Sequence, residues 1–455
     1  MGGRLPRPVP HPRRGEHGDQ GPLRGRGDRN PVPAARPAHP LGGRDSPATR
    51  SAPASRGVRT RGRLADLTRG ISVESYLTAE ISAAALRHNL KALRRRLAPG
   101  VKLCVAAKAN CYGHGLELVL DVLGEQADVL GVATPEEAVS LRHRGFRKPI
   151  LLFFSACAYG EGAELRDALA QLVANDVWLT LTAPAEVRLV AEAARHVNAQ
   201  ALVHVKVDSG MGRSGVPAAQ AAALAERVRA EPSLELVGLY THFAVADAAD
   251  KAYTLGQFAC FRAAVESCGG RRGLLLHAAN SAAAIDLPET HLGMVRPGIA
   301  VYGYQPSDEM HVRLPLQPCL RLTGRLMQVR PMPAGSRCGY GLRHTFQRDS
   351  RVGLVPVGYA DGYLRCLTNK SVMRVRGQLV PARGTISMDQ TIVDLTDVPA
   401  AAVGDEVEIV SPDPADPHSV ENLARLAGTI PYEITCRLGD RVRRRLVESF
   451  APRRP

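Results

Sequence analysis

Residues 103–115 read LCVAAKANCYGHG, an apolar run of five residues that passes directly into a lysine and then into a polar segment. Short apolar runs of this kind are typical of strands that are buried on both faces of a parallel sheet. Segments with helical patterns separate eight such runs, which are 103–107, 129–133, 150–154, 177–181, 202–207, 234–239, 274–277 and 294–295. Eight repeats of a strand and a helix favour a closed (β/α)8 TIM-type barrel over an open doubly wound sheet.

The pattern changes beyond about residue 312. Apolar or alternating runs with glycine and proline between them occupy 320–329, 351–357, 372–375, 391–395 and 406–410. Only 420–426 has a clear helical pattern, so these runs predict strands of a mostly β domain. We therefore predict an α/β protein in three parts: a disordered Arg/Pro-rich extension at 1–75, the barrel at 76–312 and a C-terminal β domain at 313–455.

The N-terminal segment accounts for most of the positive charge. Residues 1–70 contain 15 arginines, no lysine, five acidic residues, 11 of the 33 prolines and no aromatic residue, and they carry +10 of the net charge of +15. This composition cannot bury enough apolar surface to offset the entropy of ordering. Its prolines would break the amphipathic helix of an organelle transit peptide, so a disordered extension, or a start codon set too early, is favoured over a targeting signal. The nearly neutral remainder argues for a small-molecule partner and against nucleic acid.

The nine cysteines are scattered and never spaced as Cys-x-x-Cys. Neither a disulfide framework nor a zinc site is therefore indicated, and we expect no metal. No apolar run reaches the length of a membrane span, and the N-terminus lacks the apolar centre of a signal peptide. A cytoplasmic protein without a membrane partner fits these observations.

Lys108 follows the first predicted strand without a gap. An ammonium group at the end of a buried strand is costly to desolvate, which lowers its pKa. An unprotonated lysine amine can attack an aldehyde to form an imine and can later act as a base. The alternative is a lysine that extends its charge to solvent at the barrel mouth.

Polar residues at the other strand ends favour the first interpretation. In a barrel of this kind, the carboxyl ends of the strands form the active site. Asn280, Ser281 and the backbone N–H groups near Gly298 and Ile299 suit a phosphate, because amides donate hydrogen bonds and glycine permits close approach. The arginines at the ends of two predicted strands, Arg213 and Arg296, suit a carboxylate or a ring acceptor.

These residues lie in motifs that resemble a known family. The block Lys108-Ala-Asn-x-Tyr-Gly-His-Gly115 resembles the cofactor-lysine signature of the alanine racemases, which are fold-type III pyridoxal-phosphate enzymes. Further matching motifs occur in the family's order at 204–213, 240–243, 280–281, 296–299, 302–303, 339–341, 357–363, 387–390 and 430–433. The resemblance covers about residues 76–444.

The resemblance implies pyridoxal 5'-phosphate as the cofactor. Lys108 would form the imine and exchange the α-proton on one face of the substrate, and Tyr340 from the second subunit of a homodimer would act on the other face. Arg296 would donate to the pyridine nitrogen with His242 behind it, and Asn280 would also contact the cofactor. The phosphate ligands would be Tyr112, Ser281, Gly298, Ile299 and Tyr432. Because arginine is essentially never deprotonated, it would leave the pyridine nitrogen unprotonated and favour proton transfer over other reactions.

The same resemblance implies the substrate contacts. Arg213 and the backbone at Met388 would hold the substrate carboxylate, with Tyr359, Tyr432 and Met388 near the substrate methyl group. Lys206 matches a position where many members carry a carbamylated lysine, and Asp389 resembles a residue that completes the partner's site. The chain departs from the family at Cys111, where Ala, Val or Ser is usual, and at Thr385, where Arg is usual. The difference at Thr385 would affect contacts near the dimer interface.

The expected activity is interconversion of L-alanine and D-alanine, which supplies D-alanine for peptidoglycan precursors. A racemase of serine or of a larger amino acid is the main alternative, because motifs for shared chemistry do not specify side-chain size. A decarboxylase of the same fold is disfavoured by Arg296, since those enzymes place an acidic residue against the pyridine nitrogen. A non-catalytic pyridoxal-phosphate-binding protein is disfavoured by the β domain that carries Gly339-Tyr340-Gly341.

Overall fold

The computed structural model describes residues 76–155, 158, 162–271 and 273–451. The predicted disordered extension at 1–75 lies outside the described residues. The strands are β1 (Leu77–Ser82), β2 (Lys102–Ala106), β3 (Val129–Val132), β4 (Ile150–Ser155), β5 (Val177–Leu181), β6 (Ala201–Asp208), β7 (Val216–Pro217), β8 (Leu234–Tyr240), β9 (Leu275–His277), β10 (Met294–Val295), β11 (Leu320–Arg325), β12 (Gln328–Met332), β13 (Arg337–Cys338), β14 (His344–Thr345), β15 (Ser350–Val355), β16 (Val372–Val375), β17 (Gln378–Arg383), β18 (Thr391–Asp394), β19 (Glu406–Val410) and β20 (Arg443–Val447).

The helices lie mostly between the strands of the first half of the chain. They are α1 (Ala83–Arg96), α2 (Leu116–Gln126), α3 (Pro135–His143), α4 (Gly162–Ala174), α5 (Pro184–His196), α6 (Ala221–Arg229), α7 (Ala252–Ser267), α8 (Ser281–Asp286), α9 (Val420–Ala427) and α10 (Pro431–Cys436). A separate turn over Lys108–Tyr112 has left-handed backbone angles at Ala109–Tyr112. In the described part of the chain, none of the helices combines the length and the apolar character that a membrane crossing needs.

The eight predicted strand runs form a closed parallel barrel. The strand order is β5-β4-β3-β2-β10-β9-β8-β6, and pairing of β5 with β6 closes the ring. Every pairing around the ring is parallel. Alternate residues of β2 face opposite sides, so Cys104 belongs to one buried cluster with Met294 while Leu103 and Val105 pack in the main core. The predicted (β/α)8 architecture is confirmed, and it brings the carboxyl ends of the strands to one rim.

The second large sheet is mostly antiparallel, as predicted for a β domain. Its order is β12-β15-β18-β17-β16-β19-β11-β1-β20. The run predicted as one strand at 320–329 forms two strands, because the backbone turns at Leu326 and Met327 to bond Asp405 and Leu354. Strands β1, β17 and β20 of this sheet have no counterpart among the predicted runs.

The first strand of the described chain belongs to the second sheet. Leu77–Ser82 pairs with β11 on one side and with β20 on the other, although it precedes the barrel in sequence. Its charged residue Glu80 is buried beside Arg321, which also contacts Glu408. The predicted boundary between the two domains at residue 312 stays a prediction. Within the segment 76–312, which was predicted as barrel, Leu77–Ser82 belongs to the second sheet.

Candidate active site

Lys108 begins a backbone turn of unusual conformation at the end of β2. The four residues Ala109–Tyr112 have φ between 52° and 54°. A left-handed conformation costs a residue other than glycine roughly 1–2 kcal/mol. Gly113 follows with φ of 83°, and a Cβ there would lie 2.0 Å from the Thr435 carbonyl oxygen. The turn that carries Lys108 is therefore strained and closely packed, a combination that recurs at functional sites.

Three side chains, one from the turn itself, one just after it and one from α3, hold the turn in place. The buried His114 donates from Nδ1 to the carbonyl oxygens of Cys111 at 2.9 Å and Tyr112 at 3.0 Å. Burial lowers the pKa of His114 to about 4, so the ring is neutral with its proton on Nδ1. Asn110 Oδ1 accepts from the Leu116 N–H at 2.7 Å. Glu137 Oε1, at the start of α3, accepts from the Ala109 N–H at 2.7 Å.

The Lys108 amine lies in an environment that opposes its charge. Burial lowers its pKa below the ordinary value, and the positive charge of Arg213 lowers it further. The thiolate form of Cys436 and the carboxylate of Glu137 act in the opposite direction and are weaker effects. The net direction is the one that an imine-forming lysine requires.

Arg296 is buried and bonded to several strand ends of the barrel. Nη1 donates to His277 Nδ1 at 2.8 Å, and Nη2 donates to the carbonyl oxygens of Thr241 at 2.6 Å and Ala278 at 3.0 Å. Nη2 also lies 3.4 Å from His242 Nδ1. Among the described residues, none bonds Nε of Arg296, which leaves this atom to donate to a ligand. Arg296 and His242 therefore lie next to each other, as predicted.

Two histidines extend this hydrogen-bond chain across the barrel. Since His277 Nδ1 accepts from Arg296, its Nε2 carries the proton and donates to His204 Nδ1 at 3.0 Å. Burial lowers the pKa of His204 to about 3, and burial and Arg296 lower the pKa of His277, so both rings are neutral. Gly238 makes room for this pair, because a Cβ there would lie 2.6 Å from His204 Nδ1. These hydrogen bonds from Arg296 through His277 to His204 fix the orientation of the Arg296 guanidinium.

The expected phosphate ligands meet around one glycine. Ser281 Oγ accepts from the Gly298 N–H at 2.8 Å, and a Cβ on Gly298 would lie 2.2 Å from Tyr112 Oη. The ring of Tyr112 lies 6.0 Å from that of Tyr432, centroid to centroid. Asn280 caps α8 by accepting from the Ala283 N–H at 3.1 Å, and Ile299 begins the short helical turn after Gly298. These residues, predicted from four separate segments, are brought together.

Arg213 lies in a loop that Asp208 organises. Asp208 Oδ1 accepts from the N–H groups of Gly210, Met211 and Gly212 at 2.9–3.1 Å. Partial burial opposes ionisation of Asp208, but the three N–H groups outweigh it and the pKa of Asp208 is lowered. Arg213 itself is exposed, and within the described ranges its guanidinium has no hydrogen bond or ion pair. This free cation at the barrel mouth suits a carboxylate ligand.

Lys206 points to the same region as Arg213. Its pKa is lowered to about 8 by burial first and by Arg213 second, and Nζ lies 5.8 Å from the centroid of the Tyr240 ring. Nζ forms no hydrogen bond with any described residue. A buried amine with this pKa is partly unprotonated near neutral pH.

Apart from Tyr432, which is partly buried, the predicted residues of the C-terminal domain are exposed. Tyr340 is 73% exposed, Met388 is 52% exposed and Tyr359 is 43% exposed. Tyr340 is bonded only through its backbone among the described residues, where its carbonyl accepts from Thr385 Oγ1 at 2.6 Å. Asp389 accepts from Arg441 at 2.6 Å. Within one chain, hydrogen bonds do not join Tyr340 to the described barrel residues of the site.

Some residues of the site were not predicted. His204 lies within a predicted strand run, His277 lies at the end of another, and Glu137 lies in a helical segment between two runs. No site role was predicted for these residues or for Arg441. Arg441 bonds the buried Asp361 and the exposed Asp389 and so connects two segments of the second domain. The one available signal was position, because His277 lies four residues before Ser281 at the end of a buried strand.

Comparisons with known proteins cover most of the described chain. Residues 81–306 match the family model of the alanine racemase N-terminal domain, and residues 319–446 match that of the C-terminal domain. An alanine racemase of Desulfovibrio desulfuricans is 42% identical over 384 residues, which are 83% of this chain and 100% of the relative. One of Methanococcus maripaludis is 37% identical over 377 residues, 82% of this chain and 99% of the relative.

Solved structures give the same result. The alanine racemase of the D-cycloserine producer Streptomyces lavendulae has a TM-score of 0.76 at 34% identity, and the alignment covers 83% of this chain and 99% of that one. The enzyme of Streptomyces coelicolor has a TM-score of 0.74 at 35% identity, with coverage of 82% and 98%.

Proposed function

Since the chain belongs to the alanine racemase family, an isomerase family, we propose that it interconverts L-alanine and D-alanine with pyridoxal 5'-phosphate as its cofactor. The observation that carries the proposal is the placement of Lys108. Its amine lies at the end of a barrel strand, in a clamped turn and with a lowered pKa. A lysine in that state is suited to imine chemistry.

Three features of the barrel rim fit the cofactor. Gly298 lies so close to Tyr112 that any side chain at residue 298 would displace the tyrosine hydroxyl. Because glycine has no side chain, backbone N–H groups and the tyrosine hydroxyl can both donate to a small anion here. Arg296 has one donor, Nε, without a partner among the described residues, and this donor suits the pyridine nitrogen. Ser281, Ile299 and Tyr432 would complete the phosphate ligands, with Asn280 and His242 next to the ring.

Pyridoxal phosphate, when bound, supplies a conjugated ring that withdraws electrons from the Cα–H bond of an attached amino acid. Lys108 Nζ removes or returns the Cα proton on one face. Its lowered pKa increases the fraction of free amine that can accept this proton. The Tyr340 hydroxyl acts on the opposite face, since inversion requires one group on each side of a planar centre.

Arg296 keeps its charge and its place through the hydrogen-bond chain with His277 and His204. Both histidines are neutral, so His277 accepts a hydrogen bond from Arg296 and donates one to His204 without taking a proton from the guanidinium. A cation held in this way donates to a ring acceptor without transferring a proton. The arrangement favours racemisation over reactions that need a protonated pyridine.

The substrate carboxylate binds the guanidinium of Arg213 and the backbone at Met388. Lys206, next to Arg213, has enough free amine near neutral pH to add carbon dioxide, which gives a carbamate and releases one proton. The resulting anion would orient Arg213. Tyr359, Tyr432 and Met388 leave little room around the methyl group of alanine.

The protein functions as a homodimer in which each barrel receives Tyr340 from the partner subunit. The exposure of Tyr340, Tyr359 and Met388 on the second domain supports this arrangement, because it leaves these side chains accessible to a partner subunit. Asp389, held by Arg441, belongs to the same surface. The product D-alanine would serve peptidoglycan precursor synthesis in the cytoplasm.

Borohydride reduction tests the cofactor site. The purified chain is incubated with pyridoxal phosphate, reduced and mapped by mass spectrometry, and we expect the label on the peptide that contains Lys108. Lys108→Ala should lose the label. Lys102→Ala, an exposed lysine at the start of the same strand, should keep it and serves as the matched control. A label on another lysine, or none with the cofactor in excess, would refute the proposal.

A further inference from the structure

Glu137 connects the turn that carries Lys108 to the next strand of the barrel. Its Oε1 accepts from the Ala109 N–H at 2.7 Å. Its Oε2 accepts from the N–H groups of Ala133 at 2.8 Å and Thr134 at 3.3 Å, directly after β3. One carboxylate thus bonds two adjacent strand ends through their backbones.

The first of these contacts lies where the backbone is most strained. Ala109 is the first of four successive residues with left-handed angles, and a residue with a Cβ is destabilised there. Strained conformations persist only where surrounding contacts hold them. His114, Asn110 and Arg444 hold the middle and the end of the turn, and Glu137 holds its first peptide after the lysine.

We propose that Glu137 is a positioning residue for Lys108, because its carboxylate maintains the left-handed turn that begins at the lysine. The inference rests on the proposed function in one respect, that Lys108 is the lysine that binds the cofactor. The carboxylate also places a negative charge near the lysine amine, which opposes the loss of its proton.

A structural role in capping α3 is the competing explanation, and the chain provides a matched control for it. Glu186 has the same capping position in α5, where it accepts from the backbone of Thr182 and Ala183 and from the hydroxyl of Ser155. It is more deeply buried than Glu137, so its substitution is at least as disruptive to the helix. Glu186 forms no hydrogen bond with the Lys108 turn among the described residues.

The test compares Glu137→Gln with Glu186→Gln. A glutamine can accept from only one of the two strand ends, since its second atom is a donor. We expect the apparent Kd for pyridoxal phosphate to rise by about tenfold in Glu137→Gln, the loss typical of one charge-assisted hydrogen bond. Glu186→Gln should stay near the wild-type value. Equal values in the two variants would overturn the proposal.

A second measurement uses the protein without cofactor. Competitive labelling of lysines across a pH series gives the midpoint at which Lys108 becomes reactive, with Lys102 and Lys148 as internal references. Arg213 and Cys436 also act on the Lys108 amine and are unchanged in both variants. The midpoint should therefore move to lower pH in Glu137→Gln and stay unchanged in Glu186→Gln, because Glu137 acts on the charge of the amine and Glu186 does not. An unchanged midpoint for Glu137→Gln would contradict the inference whether or not the chain binds pyridoxal phosphate.

Rescue by glycine separates strain from a general defect and covers the case in which Glu137→Gln does not fold. Glycine adopts positive φ freely, so Ala109→Gly lowers the strain that Glu137 offsets. In the Glu137→Gln background it should restore part of the cofactor affinity, and in the wild type it should change the affinity by less than about twofold. A double variant no better than Glu137→Gln would argue against the proposed role.

Discussion

Thr385 is a residue at which this chain differs from the alanine racemase pattern, where arginine is usual. The structure places it in the second domain, buried, with Oγ1 donating to the Tyr340 carbonyl at 2.6 Å. Gly339 brings the two segments together, since a Cβ on it would lie 2.9 Å from the Thr385 nitrogen. Thr385 thus holds the backbone of the proposed second base.

Thr385→Val tests this contact. Valine has nearly the same shape, so the change removes the hydroxyl and leaves the carbonyl without that donor, at a cost of about 1–3 kcal/mol. We expect kcat/KM to fall about tenfold and equally in both directions, because the two substrates are enantiomers of equal energy. The primary deuterium isotope effect with L-alanine should increase as the tyrosine step becomes slower. Thr385→Ser, which keeps a hydroxyl, should behave like the wild type.

Individual residues also show which parts of the candidate site could be predicted from the sequence. Lys108 and Arg296 were predicted because each follows or ends a buried strand. The chain from Arg296 through His277 to His204 was not, because its members meet only when strands distant in sequence become neighbours. The contact of Glu137 with Ala109 was missed for the same reason, although a helical segment was predicted between the runs 129–133 and 150–154.

At the scale of elements, the local pattern was sufficient for the barrel and insufficient for the second sheet. Barrel strands are buried on both faces and have continuous apolar runs. Strand β1 instead carries Glu80 in its centre, and β20 carries three successive arginines. Their charges are compensated by partners far along the chain, such as Arg321 beside Glu80. The composition of either segment gives no sign of that pairing.

Strand β1 should contribute strongly to the stability of the second sheet, because it pairs on both sides. Ile81 is fully buried between β11 and β20. Ile81→Ala should lower the free energy of unfolding by about 2–5 kcal/mol, measured by urea denaturation. Val403→Ala is the control, because Val403 is 63% exposed and its truncation should cost less than about 0.5 kcal/mol. Similar losses in the two variants would show that β1 is not integral to the fold.

At the scale of the whole molecule, the site is divided between two regions. Except for Tyr432, the proposed cofactor residues lie on the barrel rim, whereas Tyr340 and Met388 lie exposed on the second domain. A second copy of the chain would cover the exposed side chains and add the missing base to each barrel. The motif resemblance already implied this division, because it assigns Tyr340 to the second subunit of a homodimer.

Mixing two inactive variants tests the shared site. Lys108→Ala lacks one base and Tyr340→Phe lacks the other, so each homodimer is impaired at both sites. A mixed dimer contains one site with both residues intact, and we expect up to about a quarter of the wild-type activity after subunit exchange at equal concentrations, because half of random dimers are mixed. Exchange is verified by mass spectrometry of tagged subunits. Verified exchange without recovered activity would place Lys108 and Tyr340 of one chain in the same site.

The most direct test of the proposed reaction is racemisation of alanine in deuterium oxide. The purified enzyme with pyridoxal phosphate is given L-alanine or D-alanine, and both enantiomers are analysed for deuterium at Cα over time. We expect the opposite enantiomer to appear with one deuterium from either starting material. Serine should react about 10- to 200-fold more slowly, since one added group in a small pocket costs about 1–3 kcal/mol. Faster conversion of serine or of a basic amino acid, or release of carbon dioxide without inversion, would contradict the account.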